Sequence, residues 1–303
     1  LQNLIYRTKK IDENLILPNG KKTVWFIGDS VTNGFGINFT DTYYFNLNQI
    51  LKSQDIDLNL IATSNYGSNL YTAINIYNKN IKLFSNDDII VYQFNYNDII
   101  ENSSVVKNNT DSYVGSLIKK TNSFRYAYLN NSTFLRTLQY YAGVISKNTS
   151  GSCESRGIQS LGSYSLAFGS KTLTEQSKKA WRDFSKSLEV FKNSTIANNN
   201  KLIVLLSPIS LQIPFHEKNN ILNYDLNCAS VQPNLLMKKM LDDLQIIYSD
   251  PLPLFVEVAQ TDFNEENQTS LFIFNDTNHP NPKGHLLLAY SLIKEILDNL
   301  KSN

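Results

Sequence analysis

The stretch Thr23-Val24-Trp25-Phe26-Ile27-Gly28-Asp29-Ser30 decides how the chain is interpreted. Its first five residues form a short, continuous apolar run, which is typical of a β-strand buried on both faces of a sheet. Gly28 ends the run and allows a tight turn, so that Ser30 stands just beyond the strand. In an open parallel sheet this edge is where ligands bind, although Gly-Asp-Ser is also an ordinary turn sequence.

Outward from this stretch, apolar runs alternate with segments of helical periodicity. Further strands are predicted at residues 58–62, 89–94, 202–206 and 245–248. Helices are predicted at residues 43–51, 70–83, 175–191, 235–244 and 283–300, the first of them capped by Thr40 or Asp41. Strands that alternate with helices predict an α/β fold, with a parallel sheet covered by helices on both faces.

Residues 101–172 interrupt this alternation. They contain one predicted helix at residues 134–145, followed by a Ser/Gly-rich stretch at residues 147–170. A connection of this length in a compact domain is a functional lid or a solvent-exposed insertion. No linker divides the chain, so we expect one domain over residues 1–303 with the insertion or lid at 101–172 inside it.

Composition excludes several classes of protein. The 303 residues are 42% hydrophobic and 18% charged, which fits a folded globular chain. A net charge of +1 and the lack of a basic block predict no nucleic-acid partner. The longest apolar runs are too short to span a bilayer. Cys153 and Cys228 form neither a CxxC pair nor a Cys/His cluster, so no metal site is predicted, and a disulfide between them stays open.

A serine needs a base before it can act as a nucleophile, and the chain has only three histidines to offer. His279 is the best candidate because Asp276 stands three residues earlier, where its carboxylate can orient one imidazole nitrogen while the other faces Ser30. His285, at the start of the last helix, is expected to be packed or half-exposed. His216 lies in a polar loop and is expected to be solvated.

Two further residues follow predicted strands at the same edge of the sheet. Gly67 comes after the second strand, and Asn97 comes after the third. Each alone is explained by a turn, but together with Ser30, Asp276 and His279 they could supply hydrogen-bond donors to an oxyanion.

These motifs resemble those of the SGNH hydrolases, also called GDSL lipases or esterases. The matching blocks are Gly28-Asp29-Ser30-Val31, Gly67, Asn95-Tyr96-Asn97-Asp98 and Asp276-Thr277-Asn278-His279-Pro280. In two places the sequence departs from the family pattern. Val31 replaces a leucine, which is a small change, and Asn95 replaces a glycine, which could alter the backbone of the third block.

The resemblance implies a three-layer, flavodoxin-like α/β/α fold with five parallel strands. It also implies that Ser30 is the nucleophile, His279 the base and Asp276 its orienting partner. The backbone N–H groups of Ser30 and Gly67 and the Asn97 amide would form the oxyanion hole. The implied reaction is hydrolysis of a small-molecule, lipid or glycan ester, O-acetyl groups included, without a metal or organic cofactor.

Other functions stay open. The same triad could transfer an acyl group to a sugar hydroxyl, as an O-acyltransferase does, and a non-catalytic glycan-binding module could share the fold. An aspartyl phosphatase is disfavoured because Val31 stands where a second aspartate is needed, and the glycines after the first strand lack the GxGxxG order of a dinucleotide site. We expect an extracytoplasmic location, since the family has many exported members, and a membrane anchor could precede Leu1.

Overall fold

The structure is a computed structural model. It describes residues 5–8, 11, 21–64, 67–101, 175–213, 232–264, 271–273, 276 and 278–301. The predicted insertion therefore lies outside the described residues, apart from Glu101. So do the predicted helix at residues 134–145, both cysteines and His216.

A single six-stranded parallel sheet forms the centre of the described fold. Its strands are β1 (Ile5–Thr8), β2 (Thr23–Gly28), β3 (Asn59–Ser64), β4 (Ile89–Phe94), β5 (Lys201–Leu206) and β6 (Ile247–Ser249). They lie in the order β1-β3-β2-β4-β5-β6, and every adjacent pair is parallel. The strand that precedes Ser30 is thus in the interior of the sheet, with Gly28 in register with Ser64.

Helices follow the strands and cover the sheet. They are α1 (Ser30–Asn33), α2 (Tyr43–Ser53), α3 (Leu70–Lys79), α4 (Asp98–Glu101), α5 (Glu175–Ala197), α6 (Gln232–Asp243), α7 (Leu252–Asn264) and α8 (Pro282–Lys301). Short 3₁₀ turns occur at Phe39–Asp41, Ile81–Leu83 and Ser210–Gln212. Among the residues that the structure describes, no helix combines the length and the apolar character needed to cross a membrane.

Alternate residues of each strand point to opposite faces of the sheet, as the pleat requires. In β2, Trp25 and Ile27 belong to a core shared with α3, α5 and α6. Val24 and Phe26 belong to a second core shared with α2, α7 and α8. Both faces are therefore buried under helices, which confirms the predicted three-layer α/β/α architecture.

The structure corrects three details of the sequence prediction. The sheet has six strands rather than five, because β1 adds an edge strand next to β3. The segment expected to cap α2 forms a 3₁₀ turn at Phe39–Asp41 instead, and the residue before α2 is Thr42, whose hydroxyl donates to the Phe39 carbonyl at 2.7 Å. Helix α7 is an addition to the helices that the sequence pattern predicts.

Candidate active site

Ser30 is the first residue of the short helix α1, directly after the central strand β2. Asp29 caps this helix, because its side chain accepts a hydrogen bond from the Val31 N–H at 2.8 Å. Gly28 is crowded by its surroundings: a Cβ atom there would lie 2.1 Å from the Thr32 hydroxyl oxygen and 2.7 Å from Gln93 Oε1. Only glycine fits at this point, so the tight turn that presents Ser30 depends on it.

A chain of hydrogen bonds under this turn holds it to β4. Gln93 Oε1 accepts from the Asp29 N–H at 3.2 Å and from the Thr32 hydroxyl at 3.1 Å. The Thr32 hydroxyl in turn pairs with the Tyr43 hydroxyl at 2.9 Å. Since Gln93 is buried, it acts as a fixed acceptor beneath the turn that presents Ser30.

The candidate base and its partner lie on a closed turn before α8. The Ile273 N–H donates to the His279 carbonyl at 3.0 Å, and the Asn281 N–H donates to the Leu271 carbonyl at 3.0 Å, which brings the two ends of the turn together. Within it, Asp276 Oδ1 accepts from the backbone N–H of Asn278 at 2.8 Å and of His279 at 3.0 Å. A short side chain that binds its own backbone in this way fixes the shape of the turn.

The structure brings Ser30, Asp276 and His279 into one hydrogen-bonded line. His279 Nδ1 lies 2.6 Å from Asp276 Oδ2, and His279 Nε2 lies 2.7 Å from Ser30 Oγ. The side chains of His279 and Asp276 are 16% and 23% exposed. The imidazole is thus shielded from bulk water on most of its surface yet still reachable, and the Phe35 ring covers it at a centroid distance of 4.5 Å.

The two carboxylates near Ser30 have opposite pKa shifts. Burial acts to raise the pKa of Asp276, but the hydrogen bond and charge of His279 and the two backbone N–H groups outweigh it, so the pKa is lowered overall. Burial raises the pKa of Asp29 to about 6, against the opposing effects of the Val31 N–H and the His279 charge. The lowered pKa of Asp276 favours its ionised form beside His279.

Gly67 and Asn97 lie on the loops that follow β3 and β4, the two neighbours of β2 in the sheet. Gly67 has φ of +69°, and no atom of the described residues lies within 4 Å of the point that a Cβ atom would occupy there. Its conformation rather than crowding therefore favours glycine. Asn97 is half-buried in the turn before α4. The role of both residues in stabilising an oxyanion stays a prediction.

The third block is held together by Asp98, a residue to which the sequence analysis gave no role. Asp98 is buried and accepts hydrogen bonds from the Tyr92 hydroxyl and from the Asn95 N–H at 3.2 Å. Its own N–H donates to the Asn95 carbonyl at 2.9 Å. Asn95 does not adopt positive φ, so an asparagine in place of the glycine of the SGNH motif does not strain the backbone here.

His285 is fully packed and takes no part in the line of three side chains. Its Nδ1 accepts from the Tyr43 N–H at 3.1 Å, and its ring stacks on that of Tyr43. Burial, followed by the nearby charge of His279, lowers the pKa of His285 to about 3. Within the described ranges, no three His, Cys, Asp or Glu side chains gather where they could hold a metal ion.

The sequence matches no protein-family model and no curated protein. Among solved structures, the chain is similar to an acetyl xylan esterase, with a TM-score of 0.48 and 15% identity over 90% of this chain and 99% of that one. An acetylxylan esterase from Geobacillus stearothermophilus gives a TM-score of 0.47 and 12% identity, over 91% and 94% of the two chains. An alpha/beta hydrolase enzyme from the metagenome of Lake Arreo gives 0.47 and 14%, over 90% and 94%.

Proposed function

We propose that the protein is a serine esterase of the SGNH type that cleaves an ester through an acyl-enzyme on Ser30. The observation that carries this proposal is the line Asp276–His279–Ser30, with contacts of 2.6 and 2.7 Å. The three residues have the polarity and order that nucleophilic catalysis needs: an ionised carboxylate, an imidazole and a hydroxyl.

The carboxylate of Asp276 accepts a hydrogen bond from the N–H of His279 Nδ1, which leaves the lone pair of Nε2 free to accept the proton of Ser30 Oγ. As Ser30 Oγ attacks the ester carbonyl, His279 takes that proton and becomes an imidazolium, which Asp276 stabilises. Collapse of the tetrahedral intermediate breaks the bond to the alcohol, and His279 returns the proton to the departing oxygen.

Water then attacks the acyl-enzyme with His279 again acting as the base. The products are a carboxylic acid and free Ser30. We assign the oxyanion in both steps to the backbone N–H groups of Ser30 and Gly67 and to the side-chain amide of Asn97, since these donors belong to three loops at the same edge of the sheet.

The first test compares the wild-type protein with Ser30→Ala on p-nitrophenyl acetate and measures labelling by a fluorophosphonate probe. We expect turnover to fall by roughly 10⁴-fold or more and labelling to vanish, because no other group replaces the nucleophile. Ser53→Ala is the matched control, since that hydroxyl donates to the Ile50 carbonyl on an exposed part of α2. Wild-type turnover in Ser30→Ala would refute the proposal.

A panel of substrates would identify the acyl group and the alcohol of the ester that the protein prefers. Acetylated xylo-oligosaccharides and p-nitrophenyl esters with acyl chains of increasing length would be compared, and both the free acid and any newly acylated sugar would be quantified. The proposal expects free acid as the product, and the acyl chain and sugar that react fastest identify the substrate class. Accumulation of acylated sugar in place of free acid would instead identify an acyltransferase that uses the same three residues.

A further inference from the structure

A hydrogen bond between two asparagines joins the loop after β4 to the turn that carries the candidate base. Asn95 Nδ2 donates to Asn278 Oδ1 at 2.6 Å, across 183 residues of sequence. Asn278 stands between Asp276 and His279 in the chain, and its N–H is already held by Asp276 Oδ1 at 2.8 Å. The Asn95 amide therefore contacts the base turn at the residue next to His279.

The Asn95 side chain is buried at a cost. The residue has no exposed surface, and its Oδ1 has no hydrogen-bond partner among the described residues. A buried polar atom without a partner lowers the stability of the fold, a loss which an alanine or a glycine would avoid. The backbone gives no reason for asparagine either, since φ is not positive and Asp98 already holds the loop. What distinguishes Asn95 is the bond from Nδ2 to Asn278.

We propose that Asn95 is a positioning residue for the base turn. Through Asn278 it sets the place of Asp276 and His279 relative to the end of β4 and therefore relative to Ser30, which follows the adjacent strand β2. Asn95 does not touch the reacting atoms. This inference rests on the proposed function, because it concerns the geometry of the same line of side chains.

The physical reason is that the other bonds of the turn serve different purposes. Two backbone hydrogen bonds close the turn on itself, through Ile273 and His279 and through Asn281 and Leu271. The contact between His279 and Ser30, at 2.7 Å, is the catalytic one and must re-form in each cycle. A separate tie from β4 holds the turn in place while that contact is broken. Misplacement of a base by about 1 Å can cost about 10²-fold in rate.

The experiment is a double-mutant cycle on p-nitrophenyl acetate with Asn95→Ala, Asn278→Ala and both together, beside Asn95→Gly and Ser30→Ala. Each single variant should lower kcat by about 10-fold to 10²-fold with KM within about 2-fold of wild type. The double variant should lose no more than the worse single one, because both remove the same bond. Asn95→Gly should match Asn95→Ala, although glycine suits the loop.

Asn80→Ala is the matched control, because that part-buried amide donates to the Ile76 carbonyl at 2.7 Å at the end of α3, away from the turn. Unfolding midpoints of all variants show that they are folded. A merely structural role would lower the midpoint and leave kcat of the folded protein unchanged, which would overturn the inference, as would additive losses in kcat. If kcat is unchanged or the losses are additive while Ser30→Ala is inactive, only the role of Asn95 is refuted. An active Ser30→Ala refutes the proposed function and this inference with it.

Discussion

The two ends of the sheet each contain a mostly buried aspartate, but the two carboxylates have different surroundings. At the amino end, Asp88 accepts from the Thr23 N–H, the Trp25 indole N–H and the Ser85 N–H at 3.0, 3.0 and 2.9 Å. At the carboxyl end, Asp276 accepts from two backbone N–H groups and places its other oxygen on His279. Asp88 is buried, whereas Asp276 is half-buried.

We propose that this difference separates a structural carboxylate, Asp88, from a functional one, Asp276. The three donors to Asp88 are groups that do not titrate near neutral pH, and burial raises the pKa of Asp88 in spite of them. One partner of Asp276 is an imidazole that can gain a proton, and the interaction with it contributes to lowering the pKa of Asp276. The amino end thus uses a carboxylate to join β2 to the loop before β4, while in the proposed mechanism the carboxylate at the carboxyl end stabilises a charge that forms during the reaction.

Asp276→Asn tests the functional side of the comparison and should have the largest effect. Asparagine Oδ1 can still accept from the Asn278 and His279 N–H groups, so the turn persists. Its Nδ2, however, would face His279 Nδ1 as a donor, which moves the imidazole proton to Nε2 and stops that atom from accepting the Ser30 proton. We expect kcat/KM on p-nitrophenyl acetate to fall by roughly 10³–10⁴-fold, measured under first-order conditions.

The unfolding midpoint of Asp276→Asn in urea should lie close to that of the wild-type protein. A loss of less than about 10-fold in kcat/KM would contradict the orienting role of Asp276. If unfolding accounted for the whole loss of kcat/KM, Asp276 would be a structural carboxylate like Asp88.

The same substitution at the amino end, Asp88→Asn, should have the opposite pattern: it should lower stability and leave kcat nearly unchanged. The new amide can accept through one oxygen, but its NH₂ group would face N–H donors on Trp25 and Ser85. The buried Trp25 donor and the part-buried Ser85 donor would lose their acceptor, and we expect the free energy of unfolding to fall by about 3 kcal/mol. Urea unfolding monitored by Trp fluorescence measures this loss.

In Asp88→Asn, kcat of the folded protein should stay within about 2-fold of wild type, since the residue lies at the far end of β4 from the site. A large fall in kcat with an unchanged unfolding midpoint would show that the two ends of the sheet are coupled and would break the comparison.

The sequence predicts the interior of the fold better than its edges. Strands β2, β4 and β5 are continuous apolar runs because both faces of the sheet are covered. The edge strand β1 reads Ile-Tyr-Arg-Thr and carries no such run, so the apolar pattern does not reveal it. Helix α7 begins at Leu252 between two prolines, Pro251 and Pro253, which are typical of loops but are also tolerated in the first turn of a helix.

Within the site, contacts between residues close in sequence could likewise be predicted, whereas contacts between loops distant in sequence could not. Asp276 and His279 are three residues apart, so spacing alone suggests that they interact. The positions of Ser30, Gly67 and Asn97 follow from the rule that parallel strands end at one edge. The bond between Asn95 and Asn278 and the packing of Phe35 on His279 depend on how loops distant in sequence come together, and no spacing rule contains that information.

The comparison extends to the pH dependence of stability through His285, which lies near the start of α8. Burial lowers the pKa of His285 to about 3, whereas an unfolded histidine titrates near 6.5. Below about pH 6.5 the unfolded chain therefore binds a proton at residue 285 more readily than the folded protein does. The contribution of neutral His285 is fully present above that pH and is lost progressively as the pH falls toward 3.

His285→Asn removes this dependence and should have the smallest effect of the three variants. Asparagine Oδ1 can replace Nδ1 as the acceptor for the Tyr43 N–H, and it does not titrate. Between pH 7 and pH 5 the wild-type protein should lose about 2 kcal/mol more unfolding free energy than the variant, measured by urea titration at both values. Asp29, whose raised pKa acts in the opposite direction over part of this range, is present in both proteins and cancels from the difference. Equal losses in the two proteins would mean that His285 takes up its proton in the fold as readily as in the unfolded chain, and would contradict the lowered pKa.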